Sequence, residues 1–429
     1  MTSKLRDAFT SDDKDIEKKS VFWNMTFSIL SASQSAVMIA IVTRGNGTES
    51  AGILSIAFAV AYLMYTIGAY GARDFHATDS LRQYSYNEYK RLRLISCGVM
   101  IFISLLYCLG KGYERDKLTV VILVCMLKLV EAMEDLYHGE FQRAGRLDIA
   151  GRLGAFRLFL SYVFFALFIF LTHNLLVSIA SLIFLSVIMM LINENLLGKY
   201  VIKIEKGRNR KTLLELVMVC FPLFIMLFLS IYISNAPKYA IDKYLSEQEQ
   251  AYYAIISMPV FTINLLSGIV YRPKLLHMAE LWNMDDRAGF KKLIWKQVQI
   301  IIIISIVINI AGCMIGLKLL EMIYGVSLTA LTKEFAILLL GGGMVAMYGF
   351  FSACLTIMRK QVFMLAIAVF VMALAGMIAN PMVRYAGLTG ATALYLILML
   401  GELLSVLIIL GICLHRSNKT KANKSLDNS

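Results

Sequence analysis

The sequence predicts an all-α integral membrane protein: twelve transmembrane helices in two six-helix lobes, with both termini cytoplasmic. Three observations predict it. The 429 residues are 59% hydrophobic and only 17% charged, and the mean hydropathy of +0.69 lies outside the range of soluble domains. Apolar runs of about 20 residues, enough to cross about 30 Å of hydrocarbon, recur along the whole chain. Lys and Arg gather in every second loop, as the positive-inside rule requires.

The runs fall at 21–43, 51–72, 94–110, 118–137, 156–171, 175–196, 213–234, 251–271, 294–317, 335–357, 362–383 and 388–414. With the amino terminus inside, the inner segments hold 32 of the 42 Lys and Arg and the outer segments hold 9. Lys128 is left within a span. The net charge of +13 thus follows from topology and calls for no nucleic acid; inner basic residues also suit anionic lipid headgroups. Residues 1–20 form a polar cytoplasmic segment without the apolar core and small-residue cleavage site of a signal peptide. Residues 415–429 read as a disordered cytoplasmic tail. All seven cysteines lie in apolar spans without CxxC or Cys/His ligand spacing, so neither disulfides nor metal are implied.

The most basic inner segment, 198–212, joins an N-lobe over 21–197 to a C-lobe over 213–414. Polar marks recur at matching helix ends in the two halves. VTRGNG after the first span and SNAPKYAID after the seventh align Arg44 with Lys238. YGARDF and VYRPKL align Arg73 with Arg272. Parallel six-helix repeats are a known transporter plan, with the substrate held near the midplane. Basic residues also collect at span ends for topological reasons alone. Arg44 and Lys238 sit on the outside, where basic residues are scarce, and point more strongly to a shared cavity.

Within the spans, 118–137 stands apart. Lys128, Glu131, Glu134, Asp135 and His138 fall within about 120° of one helical face, a single charged stripe. Each such charge costs about 2.5–3.5 kcal/mol near the bilayer centre unless it meets protein or water. Two readings fit Lys128 and Glu131: an internal ion pair at i,i+3, or a cavity site where Glu131 exchanges an ion. Asp135 and His138 approach the inner surface, and for Glu134, Asp135 and His138 a solvated helix end fits as well as a functional site. Pro222 and Pro259 stand inside the seventh and eighth spans and predict kinks that let the second half bend. Asp242 follows Lys238 by four residues and is placed to pair with it. Glu402 stands alone about midway through the last span. Glu131, Asp135, Asp242 and Glu402 are therefore the ion-coupling candidates. Gly341–Gly343, inside an apolar span, predict close helix packing.

Enzyme signatures are missing. The sequence contains no GxxxxGK, HExxH or GxSxG, and no GxGxxG after a strand, so neither a nucleotide-driven motor nor a catalytic centre is expected. No cofactor is expected beyond a coupling H⁺ or Na⁺.

Three stretches carry a family likeness: TRGNGTESAGILSIAFAVAYLMYTIGAYGARDFHATD, YHGEFQRAGRLDIAGRLGAFR, and FPLFIMLFLSIYISNAPKYAIDKYLSEQEQAYYAIISMPVFTINLLSGIVYRPKL. Together they resemble the bacterial flippases of O-antigen and capsule repeat units. These belong to the multidrug/oligosaccharidyl-lipid/polysaccharide (MOP) exporter superfamily. The likeness covers roughly residues 20–290 in pieces, and the later spans agree in number and length. It implies a MATE-like fold with two lobes around a cavity that opens alternately to each side of the bacterial cytoplasmic membrane. The implied cargo is an oligosaccharide on undecaprenyl pyrophosphate, moved from the inner to the outer leaflet and driven by an ion gradient. Basic cavity residues would engage the pyrophosphate. Arg44, Lys238, Arg73 and Arg272 occupy the matching positions, and Lys128 lies on the helix leading into GRLDIAG. Membrane lipids, a polysaccharide polymerase and glycosyltransferases are the implied partners. The alternatives on the same fold are a MATE-type drug or cation antiporter and a lipid II-type precursor flippase.

The physics agrees with that cargo. A pyrophosphate cannot enter hydrocarbon unpaired, and sugar hydroxyls need partners. Arg offers bidentate donors to phosphate, whereas Lys acts as a point charge.

Overall fold

The computed structural model describes residues 16–79, 83–201 and 213–426. Every regular element among them is helical. The order is α1 (Ile16–Ala69), α2 (Ala72–Thr78), α3 (Tyr86–Lys111), α4 (Arg115–Arg143), α5 (Leu147–Thr172), α6 (Leu175–Val201), α7 (Leu213–Tyr244), α8 (Glu247–Tyr271), α9 (Leu275–Asn283), α10 (Arg287–Ala311), α11 (Leu317–Tyr324), α12 (Thr332–Ile357) and α13 (Val362–Leu426). A π turn, Gly312–Gly316, joins α10 to α11.

Among the described residues, nine helical stretches are long and apolar enough to cross a membrane, against the twelve expected. The difference has physical causes. Two stretches are of double length, 54 residues each, and bend at a glycine. Gly47 in α1 takes φ 88° and ψ 177°, and Gly387 in α13 takes φ 56° and ψ −137°. These are conformations that glycine adopts without the steric cost of a Cβ. α4 is 29 residues long but too charged to count as apolar. The expected proline kinks do not interrupt their helices: α7 runs on through Pro222 and α8 through Pro259.

Residues 1–15 and most of the basic join at 198–212 lie outside the described residues. The helix α13 extends as far as Leu426, into the segment expected to form the cytoplasmic tail.

The chain divides into two compact units, Met1–Ile231 and Tyr232–Ser429. The start of α7 belongs to the first unit because it shares a core there. Leu216 and Cys220 pack with Ala72, Tyr84, Tyr89, Leu92 and Leu136, and Phe224 stacks on Tyr70 at 5.0 Å.

In the first unit α4 packs against α1, α2, α3, α5 and α6, so the most polar long helix is also the central one. In the second unit α12 holds the corresponding place, against α8, α9, α10 and α13. A Cβ on Gly341 would lie 2.7 Å from the Tyr395 ring, and one on Gly342 would lie 2.9 Å from Ile263. The glycine triplet thus serves close packing. Phe102, Leu109, Phe184, Ile303 and Phe370 point outward and exposed, as side chains facing lipid do.

Candidate functional site

The charged stripe of α4 is a hub, and each neighbouring helix of the first unit supplies it with one polar partner. From α1, Gln34 donates to Glu131 at 2.8 Å and accepts from Lys128 Nζ at 2.6 Å. From α2, Arg73 meets Asp135 at 2.8 Å, and from α3, Arg93 meets the other Asp135 oxygen at 3.2 Å. From α5, Arg157 reaches Glu134 at 2.6 Å and Glu131 at 3.3 Å. From α6, Asn193 donates to Glu134 at 2.9 Å.

Lys128 and Glu131 form the i,i+3 ion pair, at 2.7 Å. The Lys128 ammonium also lies 4.3 Å from the Tyr62 ring centre and 5.7 Å from that of Phe58, a cation–π seat on α1. Four cations therefore face three carboxylates, leaving one positive charge in excess. A solvated helix end at Asp135 and His138 is not found. Asp135 is held by two arginines, and His138 is 3% exposed, edge-on to Phe27 at 5.4 Å.

Arg73, expected at a pyrophosphate, is also engaged by Gln142 at 2.9 Å. Its guanidinium stitches α2 to α4. Buried ion pairs fix register and orientation more surely than they add stability. Chemically, then, the hub ties α1, α2, α3, α5 and α6 to α4.

A second cluster lies past the membrane end of α4. His76 Nε2 is 2.8 Å from Glu140, and its ring stacks on Tyr89 at 4.0 Å. Arg143 bridges Glu140 at 2.6 Å and Asp79 at 3.8 Å. Asp79 accepts from the backbone N–H groups of Gln83 and Tyr84 and from the Tyr89 hydroxyl. Burial pushes the His76 imidazole below the ordinary histidine range. Burial raises the Glu140 carboxyl, but hydrogen bonds from His76 and Arg143 outweigh it and hold the carboxyl below its usual value.

Both shifts act in one direction. The unfolded chain binds the His76 proton more tightly than the folded one, so this contribution is complete above about pH 6.5 and is lost as pH falls below it. The Glu140 contribution is lost at lower pH, as that carboxylate takes up a proton. The thermal midpoint of the purified protein is expected to fall from pH 7 to pH 5. His76→Asn should flatten that slope, and an unchanged slope would remove His76 as its cause.

Arg44 is exposed, three residues before the bend in α1. The bend is held from the turn between α5 and α6: Asn46 donates to the His173 carbonyl at 2.9 Å, and His173 Nδ1 lies 3.0 Å from the Gly45 carbonyl. The second unit holds the other candidates. Lys238 is partly buried on α7 and has no hydrogen bond or ion pair among the described residues. The expected Lys238–Asp242 pair is therefore not formed; Asp242 has a different partner. Arg272 is exposed at the end of α8, with its side chain folded back over Gly268. Glu402 is 7% exposed on α13. Glu334, in the first turn of α12, accepts from the Thr389 hydroxyl.

Reading the sequence missed Arg93, Arg157, Gln34 and Asn193 as hub partners. A signal was present, since Arg157 and Asn193 are polar residues inside or at the edge of apolar runs. Their helical phase relative to α4 was not.

No family model matches the sequence. Solved structures define the class. The fold is similar to that of the lipid II flippase MurJ in an inward closed conformation, with a TM-score of 0.67 and 12% identity over 90% of this chain and 87% of that one. It is also similar to an inward-facing multidrug resistance MATE family transporter of the MOP superfamily, with a TM-score of 0.61 and 10% identity over 91% and 96% of the two chains. The chain is a multi-pass membrane protein with the MOP exporter fold. In sequence it is similar to the capsular polysaccharide biosynthesis protein CapF of Staphylococcus aureus, at 22% identity over 303 residues, 70% of this chain and 75% of that protein.

Proposed function

We propose that the protein flips undecaprenyl-pyrophosphate-linked oligosaccharide repeat units from the inner to the outer leaflet of the bacterial cytoplasmic membrane. The transport cycle is ion-driven alternating access and serves surface polysaccharide assembly. Dividing α1 and α13 at their glycines and admitting α4 as a span restores twelve crossings, with both ends cytoplasmic. Rigid-body rocking of a well-stitched lobe is how alternating access proceeds on repeat-built transporters.

One observation of the site carries the reading. Lys238 stands partly buried in the second unit with no carboxylate or hydrogen-bond partner among the described residues. A desolvated ammonium without a counter-charge is costly unless a ligand brings one, and a pyrophosphate brings it. Arg44, aligned with Lys238 by sequence in the first half, carries the bidentate donors that suit phosphate. The likeness to CapF supports the sugar cargo. A drug cation suits the first unit poorly, because each hub carboxylate already has a cation within 3.3 Å.

Ligand-induced thermal stabilisation of the purified protein tests the cargo class. Saturating undecaprenyl-pyrophosphate oligosaccharide should stabilise the fold, by about 2.7 kcal/mol at 100 times Kd. Tetraphenylphosphonium should leave the midpoint unchanged, and lipid II should shift it less than the oligosaccharide. Stabilisation by the organic cation alone would overturn the reading in favour of a drug antiporter.

A further inference from the structure

The carboxylates of the α4 stripe and Glu402 on α13 differ in what holds them. In the first unit Glu131, Glu134 and Asp135 are each held by an arginine or lysine within 3.3 Å. A group clamped in this way cannot exchange an ion without first breaking its pair, and the pair holds helices together. Glu402 is 7% exposed on the second half of α13, and no hydrogen bond or ion pair reaches it among the described residues.

Among the described residues, the titratable groups that feel the Glu402 charge are phenols. Tyr348 comes from α12, the helix packed most closely on α13, and Tyr395 from α13 itself, two turns earlier. Tyr253 from α8 lies beyond, next to Tyr395. Ser352, one turn after Tyr348 on the same side of α12, is buried. Hydroxyls can accept from a protonated carboxyl and donate to an ionised one, so they serve both forms of the acid.

We propose that Glu402 is the proton-binding site of the transport cycle, that the coupling ion is H⁺ rather than Na⁺, and that the stripe of α4 has no part in coupling. The inference rests on the transport reading above. A hard cation needs several oxygen ligands, and among the described residues no second carboxylate acts on Glu402, whose charge is felt only by phenols. A single carboxyl among hydroxyls matches one proton. In the step itself Glu402 takes a proton from water on the acidic side, crosses the transition neutral, and returns the proton to water on the other side. No other bond changes.

Two measurements on the full-length protein in lipid test this. The first needs no cargo: infrared difference spectra across a pH titration in H₂O and D₂O. Wild-type protein is expected to show the carbonyl stretch of a buried protonated carboxyl that disappears reversibly at high pH. Glu402→Gln should lose it, Glu402→Asp should keep it at a shifted position, and Glu131→Gln should leave it unchanged. Persistence of the band in Glu402→Gln, or its absence from wild type, would overturn the assignment.

The second is flipping in vesicles with and without a pH gradient. One proton moved per cargo across one pH unit biases the cargo distribution about tenfold. Glu402→Gln should still equilibrate cargo but lose that bias, whereas Glu131→Gln should keep it. A bias that follows Na⁺, or one lost in Glu131→Gln and kept in Glu402→Gln, would overturn the proposal. A wild-type protein with the titrating band but no flipping would retain Glu402 as a proton site and sink the flippase reading instead.

Discussion

Arg157→Ala is expected to lower the thermal midpoint of the purified protein more than any other single change in the hub. Arg157 serves two carboxylates from α5, Glu134 at 2.6 Å and Glu131 at 3.3 Å, and its side chain is 4% exposed. Glu131 keeps Lys128 and Gln34 when the guanidinium is removed. Glu134 keeps only the amide of Asn193. Removing one partner of a buried pair costs about 3–5 kcal/mol, because the other charge stays behind in low dielectric. The double change Arg157→Met with Glu134→Gln removes both charges and should recover much of the loss. Thermal unfolding of the three proteins in detergent checks this. A midpoint for Arg157→Ala equal to wild type would show that the hub does not hold the first unit together.

Lys238→Ala is expected to do the opposite: transport falls while the fold stays intact. Lys238 has no protein partner among the described residues, so its removal leaves no group stranded. If the ammonium meets pyrophosphate, the variant forfeits a charge-assisted hydrogen bond worth about 1.5–3 kcal/mol, or roughly 10- to 150-fold in cargo affinity. Lys238→Arg keeps the charge and should retain part of the activity. Arg44→Ala should also lose transport. Flipping rates read beside thermal midpoints separate the two outcomes: full transport in Lys238→Ala would return that residue to the topological role of a span-end cation. Loss of transport with an equal loss of stability would make it structural.

The fold class was legible because hydrocarbon sets a length and a composition that few soluble sequences share. The expected spans 21–43 and 51–72, and likewise 362–383 and 388–414, run together as continuous helix across a bend. Gly47 and Gly387 are two of 28 glycines, and of the six with positive φ among the described residues they are the two at which a long helix bends. The Lys128–Glu131 pair was legible from spacing within one helix. Gln34, Arg93, Arg157 and Asn193 were not, since a partner 26 to 97 residues away is fixed by packing. A solvated end suited Asp135 and His138 because the span appeared to end there; packing of five helices around α4 buries what depth alone would expose. The expected Lys238–Asp242 pair is not formed: an i,i+4 spacing permits a pair but does not require it. Glu402 was legible as an isolated carboxylate, and the structure adds the tyrosines around it.

The central claim is that this chain moves a lipid-linked oligosaccharide between leaflets. Purified protein reconstituted into liposomes with a fluorescent undecaprenyl-pyrophosphate oligosaccharide confined to one leaflet tests it directly, with a membrane-impermeant glycosidase or lectin reporting sugar on the opposite side. The account predicts sugar exposure well above that of protein-free liposomes, lost in Lys238→Ala. Exposure no greater than in protein-free liposomes, from protein shown to be folded, would contradict it.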